Sequence, residues 1–178
     1  MGRGSRIALV GALLVSLVAG AGTANARVEA PRGLTARNAL ESDVLAQINT
    51  LRRSHGLAPV RLSLALRRAA DAHSTAMATR GFFAHESADG TAFWRRVARY
   101  YPRRGTGAWY VGENLLWSSP DVDAAGAVRM WLNSPPHRRI LLTARWREIG
   151  LSAVHTPSAP GVYGGREVTV VTADFGVR

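Results

Sequence analysis

The sequence predicts a single α+β domain, and three observations carry that prediction. Across residues 38–101 apolar side chains recur three and four positions apart, the period of helices that bury one face. Across residues 149–175 the pattern changes to Val- and Thr-rich segments split by a Pro/Gly loop, which describes an antiparallel hairpin. The chain has 178 residues, 47% of them apolar. That is enough for one core and too apolar for a disordered basic chain.

At the start of the chain, Arg3 and Arg6 precede an apolar run at residues 7–20, and Ala24 and Ala26 flank Asn25. A basic start, an apolar middle and an A-x-A site describe a secretory signal peptide over 1–26. The run is short for a membrane span, which takes about 20 residues. Residues 27–37 are polar, with Pro31 and Gly33, and read as a flexible leader to a domain over 38–178. Asn38 and Glu41 resemble a capping box. Leu40, Val44, Ile48 and Leu51 then form a helical stripe, and Gly56 stops it. Residues 57–62, with Pro59, are extended.

Ser63 is placed to cap a second helix with the stripe Leu66, Ala70, His73 and Met77, ended by Gly81. Residues 82–85 leave that helix as a loop. A third helix, over about 91–101, points Phe93, Val97 and Tyr100 inward and its arginines outward. Pro102 ends it. Residues 109–117 read as a strand with Val111, Glu113 and Leu115 on one face. Ser119 and Pro120 are expected to start a fourth helix reaching Asn133. Ser134 then caps a short helix bearing His137. Residues 149–155 and 167–175 form the closing hairpin.

Composition narrows the chemistry. There is no cysteine, which excludes disulfide scaffolds, Cys-based zinc sites and cysteine nucleophiles. An exported fold without disulfides must rest on packing. The net charge is +11, and all 23 basic residues are arginine. Loss of Arg3 and Arg6 with the signal lowers it to +9. Exported arginines with no nucleic-acid motif point to anionic envelope polymers or lipid headgroups rather than to nucleic acid.

The histidines and one carboxylate carry the candidate site. His55 adjoins a helix-ending glycine and reads as a cap. His155 ends a strand and reads as exposed. His73 sits on an apolar stripe and reads as a core residue with a satisfied hydrogen bond. His85 and His137 lie beside turns. Glu113 lies mid-strand among apolar neighbours, and a buried carboxylate needs a charged or donating partner. Two imidazoles could hold a divalent cation at about 2.0–2.1 Å; equally, Glu113 could orient one histidine with no metal present. Neither H-E-x-x-H nor G-x-S-x-G occurs.

These residues resemble the CAP superfamily of cysteine-rich secretory proteins, antigen five and pathogenesis-related one (the SCP domain), in its bacterial branch. The matching segments are Asn49 to Arg52 with Gly56, Leu57 and Pro59; Ala72 to Ser74 with Met77 and Gly81 to His85; Gly112 to Leu115; Trp131 with Ser134 to Arg138, Ile140 and Leu141; and Ile149 to Leu151 with Asp174 to Gly176. They run in order over about residues 42–176. The resemblance implies a three-layer α-β-α sandwich around a central antiparallel sheet. It also implies a cleft of two histidines and two acids. Carried over, these are His85, His137 and Glu113, with Ser134 standing where the second acid belongs.

The residues and the resemblance together imply an exported binding or interaction module with a cleft of His85, Glu113 and His137, able to take zinc or another divalent cation on His85 and His137. The resemblance also allows a lipid or sterol-like ligand. A metal-dependent hydrolase or protease is the first alternative. The second is a basic adhesion protein, with clusters at Arg95, Arg96, Arg99, Arg103 and Arg104 and at Arg138, Arg139, Arg145 and Arg147.

Overall fold

The computed structural model describes residues 33–178; the predicted signal peptide lies outside them. The elements are β1 (Thr35–Ala36), α1 (Asn38–Ser54), β2 (Arg61–Leu62), α2 (Leu64–Arg80), α3 (Phe93–Tyr100), β3 (Tyr110–Ser118), α4 (Ala124–Asn133), α5 (Pro135–Leu141), β4 (Glu148–Thr156), a 3-10 turn (Gly161–Tyr163) and β5 (Val168–Val177). The strands form one sheet in the order β1-β4-β5-β3, with antiparallel pairing along that path. The two residues of β2 add to β4 in parallel. The expected hairpin is β4–β5, paired from Glu148↔Gly176 to Thr156↔Val168.

Strand periodicity sorts the sheet's two faces, and helices cover both, giving the three-layer sandwich. One face carries Leu116, Ile149, Leu151, Val171 and Phe175 against α1, α4 and α5. The other carries Leu115, Val154, Val168 and Val170 against α2, with α3 packed beside α2 through Val97. Among the described residues no helix is long and apolar enough to cross a membrane.

Several local expectations are corrected. The last leader residues pair with the sheet: Thr35↔His155 and Ala36↔Val154. Asn38 opens α1 without capping it. Its Oδ1 accepts from Arg67 at 2.8 Å. Glu41 instead accepts the Ala153 N–H at 3.0 Å and pairs with Arg67 at 3.0 Å, because it faces the sheet rather than the helix start. Ser63 and Ser134 occupy N-cap positions, but neither side chain makes a capping bond. The fourth helix starts at Ala124, not Pro120; Asp123 caps it by accepting the Gly126 N–H at 2.7 Å. In α3, Tyr100 is exposed and Tyr101 is buried in its place, because Tyr101 lies four positions beyond Val97. Arg96 is buried too, against the expectation that the helix turns its arginines outward. His155 is half-buried rather than exposed: it bonds Thr169 at 3.1 Å and Glu167 at 3.3 Å.

Two motif residues tie α1 to its surroundings. Arg52, fully buried, donates to the carbonyls of Ala58, Leu141 and Thr143. Asn49 exchanges two bonds with the Val60 backbone. Together they fix the extended segment after α1 and the end of α5.

Candidate functional site

His85 stands on a loop whose backbone is held at three carbonyls. Helix α2 ends where Gly81 turns left-handed at φ +72°, a conformation that favours glycine. Tyr163 Oη then donates to the Phe82 carbonyl at 2.9 Å. His73 Nε2 donates to the Ala84 carbonyl at 2.9 Å, and Arg96 Nη1 to the His85 carbonyl at 2.9 Å. His73 is therefore the satisfied core histidine the sequence predicts, and it also positions the loop.

Burial pushes the His73 imidazole down to about 4. A histidine that binds its proton less tightly when folded favours unfolding as pH falls. Stability should therefore drop from about pH 6.5 and level off below about pH 4. The loss is about 3 kcal/mol at 1.36 kcal/mol per unit. Urea unfolding across that window, compared with His73→Gln, checks it; equal slopes for both proteins would refute the assignment.

The His85 ring meets Glu113. Nδ1 lies 2.8 Å from Oε1, and the Phe93 ring sits alongside at 6.2 Å between centroids. The hydrogen bond to Glu113 raises the His85 pKa against the opposing effect of burial. Glu113 itself is fully buried at its side chain, whereas the His85 side chain is 46% exposed. The second oxygen, Oε2, takes Arg96 Nη2. With both oxygens engaged and its side chain fully buried, Glu113 lacks the access of a general base or a metal ligand. It orients His85: the carboxylate fixes Nδ1 as the donor and leaves Nε2 open.

His137 arrives from the opposite layer. Strand β3 is the last in the sheet order. Glu113 and Asn114 are consecutive on it and point to opposite faces. Glu113 faces α3, while Asn114 donates to the His137 carbonyl of α5 at 3.0 Å. Asn114 is thus a backbone brace. The His137 pKa is lowered by burial and by the charge of nearby His85.

An open cavity of about 250 Å³ adjoins His137. Phe83, Leu115, Trp117, Met130 and Trp131 supply its apolar walls, and Ser134 and His137 its polar end. Ser134 contributes no charge where the resemblance places an acid. Trp131 packs in the core and donates to the Leu115 carbonyl at 3.0 Å.

Among the described residues no three His, Asp or Glu side chains gather as metal ligands. Imidazole nitrogens are suitable ligands for a divalent cation, and Glu113 orients His85.

Two site residues escape sequence reasoning. Arg96 had a signal: it lies three positions after inward Phe93, on the same helix face. Asp174, fully buried beside Glu113, stood inside a matched segment that suggested no role for it.

The family model described as the cysteine-rich secretory protein family, CAP, matches residues 45–175. No curated protein matches the chain. Among solved structures, an extracellular SCP-domain protein from Bacillus anthracis is 24% identical with a TM-score of 0.62. The match covers 79% of this chain and 41% of that one. An outer surface protein from Borrelia burgdorferi is 21% identical with a TM-score of 0.61, covering 78% and 94%. A cysteine-rich secretory protein from Staphylococcus aureus is 18% identical with a TM-score of 0.54, covering 79% and 39%. The chain thus spans less than half the length of the Bacillus and Staphylococcus proteins. Motif order, three-layer architecture and family match agree: the chain belongs to the CAP family of cysteine-rich secretory proteins.

Proposed function

We propose that this protein is an exported binding module whose cleft, formed by His85, Glu113 and His137, takes a divalent cation such as zinc on the two histidines. The observation that carries this reading is the Glu113–His85 hydrogen bond, which leaves Nε2 of His85 without a partner among the described residues, while the charge of His85 is felt at His137. A carboxylate behind a ligating histidine sets its tautomer and strengthens it as a donor. A bound cation would supply Lewis acidity for holding an oxygen-bearing ligand. The apolar cavity next to His137 supports a ligand with a lipid or sterol-like portion. The extracellular and outer-surface neighbours support export. Because Glu113 is closed off, a hydrolase would need another base.

Calorimetric titration with zinc should show one site per chain, lost in both His85→Ala and His137→Ala. Absence of binding in the wild type, or binding unchanged in both variants, refutes the cation reading.

One observation favours a second reading, adhesion to an anionic envelope polymer. Arg95, Arg99, Arg103 and Arg104 are exposed and form no ion pair among the described residues. Exposed Trp94 and Tyr100 share α3 with Arg95 and Arg99. Arg96 is withdrawn from this cluster by its bond to Glu113. Pulldown on anionic wall polymer should weaken as salt rises and fall sharply in Arg95→Glu/Arg99→Glu. Retention that ignores salt rules out the electrostatic mode.

A further inference from the structure

Asp174 sits mid-strand in β5, directly opposite Glu113 in the β3–β5 ladder. It is 0% exposed. Among the described residues no N–H or O–H donor reaches either carboxyl oxygen. On its other side the register partner is Gly150, which offers no side chain. The Leu66 and Arg67 backbone of α2 closes that space. An ionised Asp174 would be a second buried negative charge beside Glu113. The neighbouring cation, Arg96, already places Nη2 on Glu113, and the His85 Nδ1–H is directed there too.

Two adjacent carboxyl groups share a hydrogen bond only when one keeps its proton. Glu113 has both external donors, so the proton belongs to its neighbour. We infer that Asp174 is a positioning residue that works as a carboxylic acid, its O–H donating to Glu113. Glu113 then holds three donors from three elements: His85 from the loop after α2, Arg96 from α3 and Asp174 from β5. Burial first, and the Glu113 charge second, hold the Asp174 carboxyl well above the usual range. The assignment stands apart from the cation reading, since it requires only the buried pair. It also means that Asp174 does not replace the acid missing at Ser134: it lies behind Glu113, sealed from the cleft.

Infrared spectroscopy of the full domain at neutral pH tests it. Wild type should show the C=O stretch of a protonated carboxyl above the amide band, shifted in D₂O. The band should vanish in Asp174→Asn. That variant keeps an N–H donor toward Glu113, so nitrogen shifts of His85 should still show the Nδ1–H tautomer. Asp174→Ala removes the donor and should shift His85 toward the Nε2–H form. If Asp174→Ala fails to fold, the wild-type and Asp174→Asn spectra decide alone. No such band in the wild type, its persistence in Asp174→Asn, or loss of the Nδ1–H tautomer in Asp174→Asn overturns the inference.

Discussion

Replacing Gly150 with alanine should destabilise the domain by about 3 kcal/mol or more, at the upper end of overpacking effects. A Cβ at this position would stand 2.1 Å from the Arg67 nitrogen and 2.1 Å from the Leu66 carbonyl carbon. Both are backbone atoms at the start of α2, so no side chain can swing aside. The whole helix must lift from the sheet. Helix α2 carries His73, and His73 holds the loop that presents His85, so the strain reaches the cleft. At roughly 2–4 °C per kcal/mol for a domain of this size, the melting temperature should fall by about 10 °C. Gly107→Ala is the control: its nearest contact is an ordinary 3.8 Å, and the change should stay within about 0.5 kcal/mol. A thermal melt of Gly150→Ala that matches the wild type would show that α2 and β4 do not pack as described.

Arg96→Met should cost about 3–5 kcal/mol in urea unfolding, the range for a buried charge stripped of its partner. The guanidinium performs two jobs. Nη2 balances Glu113, and Nη1 holds the His85 carbonyl at 2.9 Å. Without it, Glu113 keeps a buried charge with no cation beside it apart from the partly exposed His85. Arg96→Lys should recover only part of the loss, because one ammonium cannot reproduce the guanidinium fork. Adding Glu113→Gln to Arg96→Met should recover stability, since it removes the orphaned charge. Strictly additive losses in the double variant would mean that the two side chains do not interact.

The fold was legible because its signals are local and repeated. The stripe from Leu40 to Leu51 and that from Leu66 to Met77 mark helices through period alone. The segments around 149–155 and 167–175 mark strands, and Gly81 marks a helix end. The cap at Ser119–Pro120 misled because Asp123, four residues on, offers a better acceptor in the right geometry. The site was legible in part. His85, Glu113 and His137 could be named because a mid-strand acid and turn-adjacent histidines stand out from their surroundings, and because they fall on family motifs. Arg96 was hidden by its own type: an arginine on a short, Arg-rich helix reads as solvent-facing. Only the partner, Glu113, from a strand 17 residues away, gives it a reason to turn inward. Asp174 was hidden by the same rule from the other side, since its environment is set by strand register, which no single segment encodes.

His85 follows α2 and His137 lies in α5, helices that pack on opposite faces of the sheet. A ligand gripping both would fasten those layers together across a stretch of chain from residue 85 to residue 137. The protein has no cysteine with which to make a covalent strap of that kind. Occupancy of the cleft would then do for this domain what a disulfide does for others, with one difference. The strap is reversible, and its strength follows ligand concentration as RT ln(1 + [L]/Kd). Resistance to unfolding would then rise and fall with the supply of a ligand that bridges the two histidines.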